Sequence, residues 1–537
     1  MAQRMNPYSN LPKSVRRRLE TTTRNLKESR LKANVIVRSP IDQHLETIPA
    51  AEAVKPLRGR KEGLPQADEV DPKFILRRSD PGANAPAAPP ASASTDGAEP
   101  AAVNTSIDFD GGFFGDPATI PPDTHGAPGV DVVMSTLNNR VWWHDRDGAE
   151  LGDTSLDDFW NVFDDVEIEA FDPKLFHDEL TGRFIFVVCG NARRPDSSVL
   201  VAVSEGSDPR GNWIYGRIEV DHDEMGDVWM DYPSVGFTED KITISLNLFT
   251  NDDYSEFKAV AIFVIDKPAF LNSPNDFVFD QFVVTDQGGT FCPAIVCDPG
   301  VFDQYLVSSW SGNSGGSSYL ALYKISGGIQ DATVNFERVG FLEVDQTWKF
   351  SSDTDIAPQK DSPHQINVGD ARIQWVVHRR GRLTLAHTAL VPDVAPTHAA
   401  VLWADVDLEG TPAVIDHGLI GGVTGDMLYA FPSVAVNHQG DTAIGMAAFS
   451  DTMFASGAYT VRLAGGAFSP PVIYAPGKNT YHLTYDGSRN RWGDYSSTHV
   501  DPANGTDFWT LQEYVGDIAD EWRVRWGRIG IPPTGAT

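Results

Sequence analysis

Apolar and polar residues alternate most cleanly between Asp231 and Phe249, in DYPSVGFTEDKITISLNLF. Pro233 sets an extended opening, Val235 and Phe237 alternate with small residues, and Thr238-Glu239-Asp240 turns the chain. Ile242, Ile244, Leu246 and Leu248 then alternate with polar positions, the period of two that marks a half-buried strand. The pattern predicts a two-stranded antiparallel unit opened by proline. It recurs in FDPKLFHDELTGRFIFVV with Pro173, FCPAIVCDPGVFDQYLVSSW with Pro293 and FPSVAVNHQGDTAIGMAAFS with Pro432. Pro173, Pro233 and Pro293 are 60 residues apart, and Pro363 falls 70 after Pro293 and 69 before Pro432. One small antiparallel unit repeated at such a period predicts an all-β chain folded as a β-propeller rather than a sandwich.

The first unit is GAPGVDVVMSTLNNRVWWHDRDGAEL, whose Asp147-Gly148 pair is a strong hairpin turn. Six more open near Asp172, Asp231, Cys292, His364, Phe431 and Asp494. Their second strands are reached through turns such as Thr181-Gly182, Glu239-Asp240, Arg380-Gly381 and Gln439-Gly440. Seven units predict a seven-bladed ring over residues 108–537, with six blades as the alternative. The C-terminal TDFWTLQEYV and EWRVRWGRIGI are expected to supply a strand to the first blade, closing the circle and removing exposed sheet edges.

Charge divides the chain. Residues 1–104 hold 17 Lys and Arg against 12 Asp and Glu, while the remainder holds 26 against 62. The acidic body would be repelled by phosphate backbones, so no nucleic acid is expected as its partner. Residues 1–78 form a basic tail in which Leu11, Val15, Leu19, Thr22 and Leu26 predict an amphipathic helix over about 12–34. That helix suits docking to a larger assembly or a membrane surface. Residues 79–107, rich in Pro, Ala and Ser, predict a flexible linker. No apolar run of transmembrane length occurs, and the N-terminus has no apolar core, which predicts neither a membrane span nor a classical secretion signal.

Cys189, Cys292 and Cys297 are read as buried thiols, the last two pointing to opposite faces of one strand. Asp145, Asp147, Glu150 and Asp153 invite a calcium reading, but lack the ligand and glycine spacing of an EF-hand and read better as a decorated turn. His125, His364 and His499 stand near unit openings, yet their wide separation predicts solvated or hydrogen-bonded imidazoles rather than a metal site. No cofactor is therefore expected beyond a structural calcium, and no metal ligands are assigned.

PPDTHGAPGVDVVMSTLNNRVWWHDRDG, FDPKLFHDELTGRFIFVV, LVAVSEGSDPRGNW, DYPSVGFTEDKITISLNLF, FPSVAVNHQGD and RWGDYSSTHVDPANGTDFWTLQEY together resemble a group of largely uncharacterised bacterial propeller proteins of sialidase-like, or BNR-like, type. The resemblance spans roughly residues 118–530 and implies the fold and an extracellular or surface location, reached without a classical signal by another export route. Asp-boxes of true sialidases have two looser relatives here, Ser207 to Trp213 and Asp501 to Trp509, in which the carboxylate is expected to bind turn N–H groups while Trp packs between sheets.

A sialidase-type site would imply three arginines around a substrate carboxylate, a Tyr/Glu nucleophile pair and an acidic aspartate. Arg372 and Arg491 lie near unit openings, Arg183 does not, and Tyr232 and Tyr495 each follow an aspartate, Asp231 and Asp494. These six, Asp231, Tyr232, Asp494, Tyr495, Arg372 and Arg491, are the catalytic candidates; Asp123, Asp172 and His364 are the ligand-binding ones. Asp123, Asp172, Asp231 and Asp494 are expected to converge at one mouth of the ring. Two readings follow: a recognition propeller presenting an acidic, aromatic funnel to a glycan or protein partner, or a glycoside hydrolase using the carboxylates and a tyrosine.

Overall fold

The computed structural model describes residues 35–38, 72–77, 105–113, 120–220, 225–252, 255–272, 278–285, 289–314, 317–351, 355–484 and 489–532. The helix expected over 12–34 and the linker over 79–104 lie outside them. The chain is all-β and propeller-like, built from repeated four-stranded antiparallel groups. The first is His125–Pro128, Val132–Thr136, Arg140–Asp145 and Glu150–Ser155, and the second is Ala170–Asp178, Arg183–Gly190, Ser198–Ser204 and Trp213–Glu219. One sheet joins two such groups: Ile295–Val296 pairs in parallel with both Val228–Phe237 and Ile373–Arg379. The other groups open with Cys292–Pro293, Leu428–Val436 and Ser497–Val500.

The opening strands touch in succession, from His125–Pro128 through Ala170–Asp178, Val228–Phe237, Cys292–Pro293, Ile373–Arg379, Leu428–Val436 and Ser497–Val500, and the last returns to the first. Closure differs from expectation. The C-terminal strands keep their own sheet, and Thr105–Phe113 adds to its outer edge beside Trp522–Ile529. The folded body thus starts at Thr105, inside the stretch assigned to the linker. The basic tail also contributes: Val35–Arg38 pairs antiparallel with Trp213–Glu219 as a fifth strand, and Leu76 donates its N–H to the Phe341 carbonyl at 2.9 Å.

Cores lie between neighbouring sheets, as where Met134 and Trp143 of the first group meet Leu175, Phe186 and Trp213 of the second. Each sheet is consequently covered on both faces. Lys241–Thr250 is buried from Lys241 to Phe249, Thr243, Ser245 and Asn247 included, which corrects the half-buried reading of that strand. Two other expectations change. The fifth group opens at Ile373, nine residues after His364. Cys292 and Cys297 sit at the ends of two short strands, Cys292–Pro293 and Ile295–Val296, that pair in different sheets. No disulfide joins the three thiols, and all of them are buried.

The Asp-box-like turns have the expected geometry. Asp208 accepts the Arg210 N–H at 3.0 Å and Trp213 donates to the Pro209 carbonyl at 2.9 Å. Asp501 accepts the Ala503 N–H at 2.9 Å and the Trp509 indole N–H at 3.1 Å, and pairs with Arg146. In the first hairpin Asp145 accepts the N–H groups of Asp147 and Ala149 at 2.9 and 2.8 Å, so its carboxylate serves the turn.

Candidate functional site where the opening strands converge

A shared backbone device builds the site. Asp123, Asp172, Tyr232, Thr290 and Phe431 all adopt φ between 51° and 56°, and Gly369 stands at 71° ahead of the fifth group. A left-handed conformation is costly for a residue with a Cβ, and aspartate tolerates it best by bonding to nearby backbone. In three groups a proline follows, and the ladder slips between Phe171 and Lys174, between Asp231 and Ser234, and between Ala430 and Ser433. Each is a β-bulge that re-aims its side chain off the strand.

The re-aimed groups form one network. Asp123 accepts Asn138 Nδ2 at 2.6 Å and the Asp494 N–H at 3.0 Å. Asn138 Oδ1 in turn accepts the Asp172 N–H at 2.8 Å. Asp172 Oδ2 accepts the Tyr232 N–H at 3.1 Å and the Tyr495 hydroxyl at 3.0 Å. Arg491 donates to Asp494 at 2.9 Å, while Arg372 grips Asp370 through two bonds of 2.7 and 2.5 Å. Gln374 Nε2 donates to the Asp494 carbonyl at 2.7 Å. The Arg372 guanidinium lies 4.0 Å from the Tyr232 ring centre, and the Tyr232 and Tyr495 rings are 4.9 Å apart.

These groups are shielded from water: Asp123, Tyr232 and Tyr495 are each 3% exposed or less. Burial, then the charge of Asp494, pushes the Asp123 carboxyl up to about 6. Burial likewise pushes Glu513, which accepts the Gly493 N–H at 3.0 Å, well above the usual carboxylate range. A small cavity opens here, lined by Tyr232, Asp370, Arg372, Gln374, Phe431 and Asp494 among others.

The structure therefore gathers Asp123, Asp172, Tyr232, Arg372, Arg491, Asp494 and Tyr495. Asp231 precedes the bulge, opposite Asn247 in register, and does not line the cavity. His364 is exposed and stacks on His482 at 3.7 Å, outside the network. Arg183 pairs in register with Asp178, at the opposite end of its strand pair from the Asp172 bulge. Lys174, Asn138, Asp370, Gln374, Phe431 and Glu513 were not anticipated.

Deeper along the axis, His125 stacks on Trp375 at 5.4 Å and 9°, with Phe176 at 4.9 Å and His499 at 6.4 Å. Beyond them a further cavity is lined by His177, Glu179, Cys297 and Thr498 among others. There Arg379 forms two bonds of 2.7 and 2.6 Å to Glu179, a residue of a different sheet.

No family model and no curated relative matches the sequence. Solved structures do. An apocarotenoid oxygenase chimera aligns with a TM-score of 0.37 at 11% identity, covering 66% of this chain and 72% of its own. The cobalt-substituted apocarotenoid oxygenase of Synechocystis aligns with 0.38 at 11%, covering 68% and 74%. The Trypanosoma rangeli sialidase in complex with sialic acid aligns with 0.33 at 9%, covering 73% and 57%. The sialidase is a distant structural counterpart of the sialidase-like resemblance, and no BNR or Asp-box family model matches.

The expectation of no cofactor is corrected by these neighbours, since a metal-bearing protein, the cobalt-substituted enzyme, is among them. Structural calcium is withdrawn as well: among the described residues no group of three or more His, Cys, Asp or Glu is placed to hold an ion. The axial histidines do not fit a metal. His125 Nδ1 accepts the Leu175 N–H at 3.1 Å, which puts the proton of the neutral ring on Nε2 and leaves no lone pair there. His499 is held neutral by burial, its pKa lowered to about 3, and the Phe176 and Trp375 rings pack edge-on against it. Among the described residues no helix is long and apolar enough to cross a membrane.

Proposed function

We propose that the chain is a seven-bladed recognition propeller, tethered through its N-terminal tail, that binds a neutral, hydroxyl-rich ligand such as a glycan at the cavity beside Tyr232. The observation that carries this reading is the state of the two arginines. Arg372 is gripped through Nε and Nη2 by Asp370, and Arg491 is paired with Asp494. Both guanidinium charges are already matched by a carboxylate, which weakens their pull on a substrate carboxylate. What faces the cavity is the Tyr232 and Phe431 rings with the Asp494 carboxylate and Gln374 amide, which suit the faces and hydroxyls of a sugar. Partners reached by the tail, and a location outside the cell, belong to the same proposal. The test is titration of the full chain on neutral and sialylated oligosaccharides. Saturable binding of a neutral glycan, lost in Tyr232→Ala with the melting temperature kept within a few degrees, supports it. Absence of any saturable neutral ligand overturns it.

A glycoside hydrolase is the second reading, favoured by the 3.0 Å contact of the Tyr495 hydroxyl with Asp172 beside the raised acid Asp123. It requires turnover of a fluorogenic glycoside that disappears in Tyr495→Phe.

A further inference from the structure

Lys174 occupies an unusual position for a cation. It stands two residues after the Asp172 bulge, is 5% exposed, and its ammonium faces the Tyr495 ring at 3.0 Å and the Tyr232 ring at 5.6 Å. Among the described residues it has no ion pair: Asp172 is committed to Tyr232 and Tyr495, and Asp123 to Asn138 and Asp494. Its side chain lines a small inner cavity together with His125, Ser234, Cys292, Gln374 and Trp375. Gln374 lines the outer cavity too, so the two spaces share a wall.

We propose that Lys174 is a carbonyl-capturing amine, and that a small neutral aldehyde or ketone entering the inner cavity condenses with its Nζ. The nitrogen lone pair forms a bond to the carbonyl carbon. The oxygen then leaves as water carrying the two amine protons, and a C=N double bond remains. Nothing is oxidised or reduced. An anionic ligand is disfavoured, because the carboxylates of Asp172, Asp123 and Asp494 already act on Lys174 from nearby. Burial supplies the nucleophile: it pushes Lys174 down to about 7, against the opposing pull of Asp172, Cys292, Asp123 and Asp494. The other groups facing it are neutral His125, the Tyr232 and Tyr495 rings and, across Tyr232, the paired Arg372. This site lies behind the glycan cavity and does not depend on it.

The test uses the full chain with propanal at pH 7, borohydride reduction and peptide mass mapping. Ordinary exposed lysines are almost wholly protonated at that pH, so Lys174 is expected to label at least about a hundredfold faster than they do. Raising the pH towards 10 should shrink that ratio, and Lys174→Met should remove the fast adduct while the slow ones persist. Should the variant not fold, the ratio and its pH dependence in the unaltered chain still decide. A Lys174 that stays unmodified, or labels no faster than exposed lysines, overturns the proposal, whatever becomes of glycan binding.

Discussion

The two ends of the axis are both closed by buried charge, but in opposite ways. Where the strands open, Asp123 and Asp172 accept backbone N–H groups, of Asp494 and Tyr232, beside the Arg372–Asp370 and Arg491–Asp494 pairs. Where the strands end, ion pairs join sheets directly, Arg379 with Glu179 and Lys267 with Asp178. The first arrangement spreads its charge over several sheets and leaves Lys174 among aromatic faces. The second relies on paired charges, and the Arg379 partner Glu179 retains 21% side-chain exposure. Both bind sheets together, yet only the first leaves a cation and a raised acid without ordinary salt bridges, and that is where chemistry is expected.

Substitutions separate the two ends, beginning with the largest effect. Arg372→Ala strands Asp370, only 6% exposed, and should cost about 3–5 kcal/mol of unfolding free energy by chemical denaturation. Arg379→Ala should cost less, about 2–3 kcal/mol, because water reaches Glu179. Equal losses would remove the distinction between the ends. Tyr495→Phe deletes one bond to a carboxylate that keeps the Tyr232 N–H, for about 1–2 kcal/mol.

Titration sharpens the contrast. Lys174 is depressed on folding to about 7, so the unfolded chain binds more protons between pH 7 and the ordinary lysine range, and stability should rise with pH across that window. Asp123 is raised to about 6, so the folded chain binds more protons between the usual carboxylate range and pH 6, and stability should fall with pH there. Lys174→Met should therefore be more stable than the parent at pH 6 and lose that advantage by pH 10. Asp123→Asn should remove the lower limb alone. Denaturation of parent and variants across pH reads both, and a constant offset would refute the linkage.

Much of this was legible because prolines and small residues mark strand openings. Pro173, Pro233 and Pro432 all follow bulge residues with positive φ, so their spacing located three sheets. Pro363 did not mark the fifth, since the positive-φ residue there is Gly369, with no proline after it, and the ladder slips only between Ile373 and Trp375. Alternation implied half-burial because it reports polarity only. In a ring of sheets both faces are covered, and Thr243, Ser245 and Asn247 are buried against a neighbour. Lys174 could have been found by alignment of the repeats: Asp172-Pro173-Lys174 matches Tyr232-Pro233-Ser234 and Phe431-Pro432-Ser433, a lysine where serine is otherwise used. The closing strand could not. Pairing Thr105–Phe113 with Trp522–Ile529 spans the whole chain, and no local pattern encodes a partner so remote.

That last pairing has a consequence for how the protein is made. A ribosome delivers Thr105–Phe113 long before its partner, and this strand must wait until Trp522–Ile529 emerges several hundred residues later. The final sheet is therefore completed only after every other sheet has left the ribosome.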